Sequence, residues 1–514
     1  MSERRGSTSV EVPAWVQDAV FYQIFPDRFA RSERLTKPAG LVPWHRAPTT
    51  HGYHGGDLWG VVEHLDHLVE LGITAIYLNP IFQSACNHRY HTHDYEKVDP
   101  LLGGNAALRA LIGESHRRGI RVILDGVFNH ASRGFLQFND ILENGPHSPW
   151  VDWFHIQCWP LAPYDGDRPA NYIGWHGHRA LPKFNTDNPQ VREFLMQIAE
   201  HWIRDYDIDG WRLDVPADIT TAGFWEEFRR RVRAVKRDAY LVGEIWREAG
   251  DWLRGDRFDA TMNYLFAAAT IAFTAGQRVS QTLAQGRSYD PYPAIDAPEF
   301  ARRIDHLLQL YDWEVTKAQL NLLDSHDAPR LLSLARGDKA TVRLATLFQM
   351  TFPGAPCVYY GDEIALRGTK AYDKPHRDRD ARWPFPWHDP SRWDRQMLTF
   401  FREAIALRHA HPALRHGRYQ TLHAQGQCCA FARSLAEETL IVVINAAEQA
   451  ANLTLDVARF CREGANLKPI FGEGCGGVVR DGQLSVSVPA RTPAVFSGEI
   501  EAAVAPDERS KAAA

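Results

Sequence analysis

The sequence predicts an α/β fold: a TIM (β/α)8 barrel with an inserted subdomain after strand 3 and a C-terminal antiparallel β-sandwich domain. Eight short apolar runs, rich in β-branched and aromatic residues, alternate with longer segments of helical period. A long segment rich in Trp, Pro, Asn and His interrupts this alternation after the third run. Near the end of the chain, short strand-like segments separated by turn residues replace it.

The eight apolar runs are the predicted barrel strands. They lack alternation of polar and apolar residues, which is typical of parallel strands buried on both faces. The segments between them place apolar residues at i, i+3, i+4 and i+7, and Gly72 and Gly119 lie where helices are expected to end. The runs are residues 19–25, 75–81, 121–127, 210–215, 240–246, 258–264, 319–325 and 356–362.

These patterns divide the chain into predicted domains. Residues 1–130 and 189–415 form the barrel, and residues 416–500 form the β-sandwich. Residues 131–188 form the inserted subdomain, and because a loop of this length usually carries function, we expect it to overhang a cleft. The Ala-rich, charged residues 501–514 are predicted to be disordered.

Composition excludes several classes of protein. The net charge of −5, with both signs interspersed, gives no basic field for nucleic acid. The amino-terminal segment lacks the apolar core of a signal peptide, and no apolar stretch is long enough to predict a membrane span. The 7 cysteines have no paired C-x-x-C spacing, so we expect reduced thiols and no zinc or disulfide framework. The predicted location is cytoplasmic.

Polar side chains collect where the predicted strands end, which is where barrel enzymes carry their chemistry. Any one of them alone is more often a solvated loop residue or a helix cap. Together they bring three carboxylates from different strands towards one point, as cleavage of a glycosidic bond requires. The set is Asp125, Asn129 and His130 after strand three, Arg212 and Asp214 at strand four, Glu244 at strand five, and His326 and Asp327 at strand seven.

Two of these carboxyls have neighbours that predict different roles. Arg212 and Asp214 lie two residues apart on a strand and share a face, so the guanidinium is expected to keep Asp214 ionised. Glu244 is flanked by Ile245 and Trp246, a drier setting that raises a carboxyl pKa towards that of a general acid. We expect the two carboxyls to lie about 5 Å apart, as in retaining glycosidases.

Six separated motifs resemble glycoside hydrolase family 13, the α-amylase family, between about residues 14 and 497. DGVFNH (125–130), GWRLDV (210–215), GEIW (243–246) and NLLDSHD (321–327) are similar to its four signature segments, and GAPCVYYGDE (354–363) to its last barrel strand. LPKFN (181–185) and NHRYHTHDY (87–95) resemble the subfamily of neopullulanases, cyclomaltodextrinases and maltogenic amylases.

The resemblance implies roles for individual residues. Asp214 is implied as nucleophile, Glu244 as acid/base and Asp327 as transition-state stabiliser. The implied substrate-binding set comprises Tyr90 beneath the sugar ring, His130 and His326 on its hydroxyls, Arg212 orienting Asp214, Asp125 bracing Arg212, and Trp246 beside Glu244.

A looser match concerns the segment DRDARWPFPW (378–387), which resembles a substrate-binding loop of the family. It makes Asp378 and Arg382 candidates for binding the next sugar on the non-reducing side. A surface salt bridge is an equal alternative for this pair.

The sequence also departs from the subfamily pattern. The first barrel strand begins near residue 19, so we expect a short form of the subfamily without its N-terminal β domain. A homodimer is one alternative for the oligomeric state, but we do not expect it to form through that domain. Residues 215–218 read Val-Pro-Ala-Asp where relatives have Val-Ala-Asn-Glu, which predicts altered specificity on the leaving-group side. The sequence after strand one lacks the cluster of Asp and Asn residues that a calcium site needs. We therefore assign no metal-binding residues, although binding of Ca²⁺ stays an open question. No cofactor is expected to be required.

The predicted activity is hydrolysis, with retention, of α-1,4 bonds in maltooligosaccharides, cyclodextrins, pullulan or branched glucans, with α-1,6 bonds left open. A debranching enzyme selective for α-1,6 bonds and a transglycosylase on the same scaffold are alternatives. A non-catalytic member of the family would carry a membrane helix and lack an intact carboxylate set. An unrelated barrel enzyme would need a phosphate-binding glycine loop or a Schiff-base lysine, and neither is visible.

Overall fold

The protein is described by a computed structural model, which covers residues 10–284, 292–368, 380–436 and 438–498. Asp378 and the predicted disordered tail, 501–514, lie outside the described residues.

Eight parallel strands of the described chain form the predicted barrel. Their order in the sheet is β8-β7-β6-β5-β2-β1-β10-β9, and a parallel bridge between Met262 and Leu320 joins its two ends. Each of the eight predicted runs overlaps one barrel strand, so the predicted barrel is confirmed. The first ten strands are β1 Phe21–Ile24, β2 Ala75–Leu78, β3 Phe82–Ser84, β4 Thr92–Val98, β5 Arg121–Gly126, β6 Gly210–Leu213, β7 Tyr240–Gly243, β8 Ala260–Thr261, β9 Leu320–Leu322 and β10 Ala355–Tyr359, of which β3 and β4 form a hairpin outside the barrel.

Helices follow the barrel strands and pack against them. Gly72 has a φ of 88° and ends α4, as its position in the sequence predicts. The side chain of Asn188 accepts from the N–H groups of Gln190 and Val191 and so caps α7. The helices are α1 Ala14–Asp18, α2 Pro26–Phe29, α3 Leu58–Glu63, α4 Leu65–Leu71, α5 Gly104–Arg117, α6 Leu136–Asn144, α7 Pro189–Tyr206, α8 Phe224–Val235, α9 Tyr264–Thr274, α10 Gln281–Ala284, α11 Ala297–Gln309, α12 Trp313–Ala318, α13 Leu331–Leu334, α14 Lys339–Thr351, α15 Arg395–Ala410 and α16 Pro412–His416.

The core lies on both faces of the barrel sheet. Inward-facing side chains such as Phe21, Tyr77, Ile123 and Tyr240 form one cluster inside the barrel. A second, larger cluster lies between the strands and the helices. The four residues of each of β1, β2, β6 and β7 are all buried, which explains why their sequences show no alternation.

The segment predicted as an inserted subdomain connects β5 to α7. It contains α6 and a few isolated β-bridges, one of which pairs His130 with Lys183 next to the barrel. Aromatic side chains, among them Phe138, Phe154 and Tyr172, pack together inside it. Its predicted limits, 131–188, stay a prediction, as does the start of the last domain at 416.

The C-terminal region is antiparallel, as predicted. One sheet has the order β11-β12-β13-β18-β15-β16, and the other pairs β14 with β17. Apolar side chains including Ala430, Ile441, Leu455 and Val486 form the core between the two sheets. The strands are β11 Arg418–Gln425, β12 Cys428–Leu435, β13 Glu438–Asn445, β14 Ala451–Asp456, β15 Asn466–Gly472, β16 Gly477–Val478, β17 Gln483–Val488 and β18 Thr492–Gly498.

Helices long and apolar enough to cross a lipid bilayer are absent from the described part of the chain.

Arg408, on α15, joins several segments at the amino-terminal end of β10. Its side chain is fully buried and its guanidinium donates to the carbonyl oxygens of Met350, Phe352, Gly354 and Leu414. Met350 and Phe352 end α14, Gly354 precedes β10 and Leu414 lies in α16, so one buried side chain joins these segments through their backbone carbonyls.

We predict that Arg408→Leu lowers the free energy of unfolding by at least about 3 kcal/mol, because it leaves several buried carbonyls without a donor. Arg402→Leu on the same helix is the matched control, since Arg402 pairs with the exposed Glu70 at the surface; its expected cost is below about 1 kcal/mol. Denaturant unfolding of both variants measures the difference, and equal midpoints would contradict the assigned role of Arg408.

Candidate active site

A single buried guanidinium lies at the centre of the polar cluster at the carboxyl ends of the strands. Arg212 Nη1 donates to Asp125 Oδ1 at 2.8 Å and to Asp214 Oδ1 at 2.9 Å, and Nη2 lies 2.9 Å from Glu244 Oε1. Arg212 itself has no exposed surface. The three carboxyls come from the ends of β5, β6 and β7, so the barrel brings them together as the sequence predicts.

The backbone beyond the strand ends sets the positions of two of these carboxyls. The N–H of Asp214 donates to Gly126 O, and the N–H of Glu244 donates to Leu213 O, which continues the parallel pairing past the last strand residues. The chain then turns sharply at Val215, whose φ of 36° is in the left-handed region that β-branched residues rarely adopt. This turn directs the N–H of Val215 to Glu244 Oε2, at 3.1 Å.

Asp214 and Glu244 share one electrostatic environment. Burial raises the pKa of both carboxyls; Arg212 opposes this, and nearby carboxylates, including Glu244 for Asp214, add to the rise. The elevated pKa of Glu244 is in the direction expected from its sequence neighbours. For Asp214, Arg212 lowers the pKa, as the expectation that it keeps Asp214 ionised requires, but burial and the neighbouring carboxyls raise it by more. The pair therefore retains a proton more readily than two carboxyls in water.

Asp327 follows β9 and lies in a cationic setting. Its Oδ1 accepts from Arg382 Nη2 at 3.0 Å, and its Oδ2 lies 2.9 Å from His326 Nε2. Burial alone would raise the pKa of Asp327, but His326, Arg382 and Arg212 together hold it well below its ordinary value. The setting of Asp327 therefore favours its ionised form, whereas burial acts against ionisation of Asp214 and Glu244.

Arg382 belongs to this cluster and not to the outer surface. Besides Asp327, its Nε donates to the carbonyl oxygen of His326 at 2.9 Å, and only 14% of its side chain is exposed. Arg382 therefore has an ion pair with Asp327, and the choice between sugar binding and a salt bridge with Asp378 stays open. Its candidate partner Asp378 lies outside the described residues.

Tyr90 and His326 form a parallel pair beside Asp125. The two rings are 5.5 Å apart with an interplanar angle of 7°, and Tyr90 Oη lies 2.6 Å from His326 Nε2. Tyr90 Oη also donates to Asp125 Oδ2 at 2.8 Å. Gln23 and Asn79 donate to His326 Nδ1, which leaves the ring proton on Nε2, facing Tyr90 and Asp327. Tyr90 is thus tied to the same carboxylate that braces Arg212.

His130 is buried with one ring nitrogen unused. Its Nε2 has no hydrogen bond of ordinary geometry within the described chain, although the side chain is only 1% exposed and a backbone contact with Tyr90 acts on the ring. Burial lowers the pKa of His130 to about 3, so the ring is neutral near pH 7. It stacks on Trp175 of the 131–188 segment at 5.5 Å. A buried polar atom without a partner indicates a place for a polar ligand group.

Trp246 lies on the loop after β7, half-buried. Its ring stacks on Tyr264 at 3.5 Å with an interplanar angle of 10°. The sequence-predicted set therefore lies around one end of the barrel, with Asp378 as the one member whose position is not described.

Several residues of the polar cluster were not predicted from the sequence. Three of them are polar residues inside otherwise apolar strand runs, a signal that could have identified them: Gln23, Tyr77 and Asn79. Tyr77 Oη, for example, donates to Asp125 Oδ2 at 2.7 Å. Asp218, in the unusual Val-Pro-Ala-Asp segment, accepts from Trp175 Nε1 at 2.8 Å, and its carbonyl accepts from Lys183 Nζ. These contacts join the 131–188 segment to the turn after Asp214.

Comparison with known families agrees with this geometry. Residues 23–417 match the model of the α-amylase catalytic domain, and residues 417–496 match that of the α-amylase C-terminal domain.

Curated relatives and solved structures are similar over most of the chain. A cyclomaltodextrinase of Geobacillus thermopakistaniensis is 42% identical over 450 residues, 87% of this chain and 72% of the relative. Neopullulanase 2 of Thermoactinomyces vulgaris is 40% identical over 438 residues, 84% of this chain and 70% of the relative. The debranching enzyme of Nostoc punctiforme, in its native form, superposes with a TM-score of 0.88 at 52% identity, over 95% of this chain and 100% of that one.

The barrel, the C-terminal sheets and these matches together establish that the chain belongs to glycoside hydrolase family 13, the α-amylase family, among enzymes named cyclomaltodextrinase, neopullulanase and maltogenic amylase.

Proposed function

We propose that this glycoside hydrolase cleaves α-glucosidic bonds by double displacement, with Asp214 as nucleophile and Glu244 as acid/base. The observation that carries the proposal is the contact of one guanidinium, Arg212, with both carboxyls. Asp214 attacks the anomeric carbon and the bond to the leaving oxygen breaks, which gives a β-linked glycosyl-Asp214 intermediate. Water then attacks that carbon and releases the sugar with its original anomeric configuration.

The raised pKa of Glu244 fits this sequence of steps, because a protonated acid is needed first. Glu244 donates its proton to the leaving oxygen while Asp214 becomes bonded to the sugar and loses its negative charge. Glu244, now ionised, takes a proton from the incoming water. Because Arg212 contacts both groups, the guanidinium stabilises whichever of them carries the negative charge at each step.

The remaining polar groups bind the sugar at the site of cleavage. His130 Nε2 accepts from or donates to a hydroxyl, since it has no partner among the described residues. Asp327, kept ionised by Arg382 and His326, favours the positively charged transition state and accepts from hydroxyls. The ring of Tyr90 lies against the apolar face of the pyranose, and Trp246 contributes a second flat surface.

We further propose that branched maltooligosaccharides, cut at α-1,6 bonds, are the preferred substrates. The support is the similarity to a debranching enzyme over its whole length. The segment Val-Pro-Ala-Asp (215–218) on the leaving-group side also departs from the subfamily pattern in sequence, and its Asp218 contacts Trp175 and Lys183. α-1,4 cleavage of cyclodextrins or pullulan is the alternative, supported by the names of other relatives.

We propose a cytoplasmic location for the protein, as the sequence predicts. One relative, 38% identical, is named an intracellular maltogenic amylase of Bacillus subtilis. The predicted glucan substrate, without nucleic acid or membrane as partner, agrees with the interspersed surface charge.

Replacing the nucleophile tests the assignment of Asp214. We predict that Asp214→Asn lowers kcat/KM at least about 10³-fold, because the amide cannot form the covalent intermediate. Asp251→Asn is the control, since Asp251 is exposed and pairs only with Arg254 at the surface among the described residues. Initial rates on a branched maltodextrin measure the effect, and activity of Asp214→Asn within tenfold of wild type would disprove the role.

Two substitutions of Tyr90 separate its ring from its hydroxyl. Tyr90→Phe keeps the flat ring but removes the hydrogen bond to Asp125, so we expect a loss smaller than that of Tyr90→Ala, which also removes the stacking surface. Both variants are expected to keep the unfolding midpoint close to that of wild type. If Tyr90→Ala unfolds the protein instead, Tyr90 is a core residue and not a substrate-binding one.

The choice of bond is tested with pullulan, γ-cyclodextrin, maltotriose and a branched maltodextrin, with products identified by chromatography. Release of linear chains from the branched substrate, with little action on the other three, is the expected result. Panose from pullulan, or rapid opening of γ-cyclodextrin, would favour neopullulanase-like or cyclomaltodextrinase-like action over debranching.

A further inference from the structure

A cysteine and two histidines meet on the hairpin next to the active site. Cys86, His88 and His91 lie between β3 and β4, and one potential ligand atom from each lies within 4.8 Å of the others. Among the described residues this is the one such group of His, Cys, Asp and Glu side chains that comes close enough to hold a metal ion. The sequence, which shows no paired C-x-x-C spacing, had suggested no zinc site.

The distances suit a tetrahedral metal with nitrogen and sulfur ligands. Cys86 Sγ lies 3.4 Å from His88 Nδ1. Zinc, with bonds of about 2.0–2.3 Å to nitrogen and sulfur, places neighbouring ligand atoms about 3.3–3.8 Å apart. The Cys86–His88 pair already has that spacing, and the remaining separations, which are within 4.8 Å, need to shorten by about 1.5 Å at most.

The backbone of the hairpin is fixed by the residues between the ligands. Asn87 is 3% exposed and donates to the carbonyl oxygens of Thr50 and Gly52. Arg89 is 1% exposed, and its guanidinium donates to Asp99 and to the carbonyl oxygen of Asn87. Because these anchors fix the chain on both sides of His88, little ordering is needed to bring the ligands together.

The chemistry of the three side chains also suits zinc. Imidazole nitrogens and a cysteine sulfur are the ligand types that zinc prefers, and His88, His91 and Cys86 supply them. A coordinated thiol loses its proton, and the resulting thiolate on Cys86 offsets the charge of the metal and the repulsion from Arg133 near His91. Two imidazoles and one thiolate leave a fourth position for water.

We propose that Cys86, His88 and His91 bind a divalent cation of the zinc class, and that its binding inhibits the enzyme. The hairpin carries Tyr90 between two of the ligands, and the N–H of Tyr90 donates to His88 Nδ1 at 3.3 Å. That nitrogen has one lone pair, so a metal bound there displaces the N–H and shifts Tyr90. Tyr90 contacts Asp125 and His326, and a displacement of about 1 Å at such a group costs up to about 10²-fold in rate.

Binding is tested on the full chain, stripped with EDTA, desalted and kept reduced with a phosphine under nitrogen. Titration with Co²⁺ should give a thiolate-to-metal charge-transfer band that saturates at one ion per chain and disappears when Zn²⁺ is added. Cys86→Ser should abolish the band, and His91→Asn should weaken Zn²⁺ binding at least about tenfold. Cys158→Ser, which removes an exposed cysteine elsewhere, is the matched control and should keep the band.

Absence of the band in wild type, or its persistence in Cys86→Ser, would overturn the site. Loss of the band in Cys158→Ser would overturn it as well, because the thiolate would then belong to another position.

The proposal that the metal inhibits the enzyme rests on the proposed function, and it is tested separately by measuring hydrolysis rates. Saturating Zn²⁺ should lower kcat/KM about tenfold or more in wild type and Cys158→Ser, while Cys86→Ser keeps its rate. Equal inhibition of all three proteins, or bound zinc without any loss of rate, would overturn this part. A metal-free protein that cleaves no glucan would instead refute the proposed function, and the cobalt spectrum would still decide the metal site.

Discussion

The burial of Arg212 is the constraint on which the rest of the site depends. The guanidinium of Arg212 has no exposed surface, and three carboxyls, those of Asp125, Asp214 and Glu244, lie around it and offset the cost of burying its charge. The same contacts limit what those carboxyls can do. Asp125 forms an ion pair with the guanidinium, and Asp214 and Glu244 form two further ion pairs with the same group. Burial raises the pKa of both carboxyls above the value each would have in water, and a carboxyl that keeps its proton is what the first step of double displacement needs from its acid.

The barrel and its eight strands were predictable because their signal is repeated. Eight buried runs with helical segments between them leave few other folds, and the strands carry their functional residues at the same end. The convergence of Asp214, Glu244 and Asp327 follows from that topology. The contacts of Arg212 were predictable in part, because a spacing of two residues on a strand places Arg212 and Asp214 on one face.

Other features have no signature in a single sequence. The sequence around Val215 does not predict its left-handed backbone conformation. β-Branched residues avoid this conformation, so the surrounding structure imposes it. The ionised state of Asp327 depends on Arg382, which lies 55 residues further along the chain. Likewise, the unused nitrogen of His130 and the grouping of Cys86, His88 and His91 exist only in three dimensions. Gln23 and Asn79 could have been predicted from the sequence, because a polar residue within a buried strand usually has a hydrogen-bonding role.

The central claim is that Asp214 and Glu244, on one guanidinium, act in two successive displacements at a single anomeric carbon. Proton NMR of the first minutes of hydrolysis, before mutarotation, tests it most directly by recording the configuration of the newly formed reducing end. The account predicts that the α-anomer appears first and that the β-anomer rises only as mutarotation proceeds. Initial formation of the β-anomer would mean a single displacement by water, and would contradict the covalent role given to Asp214.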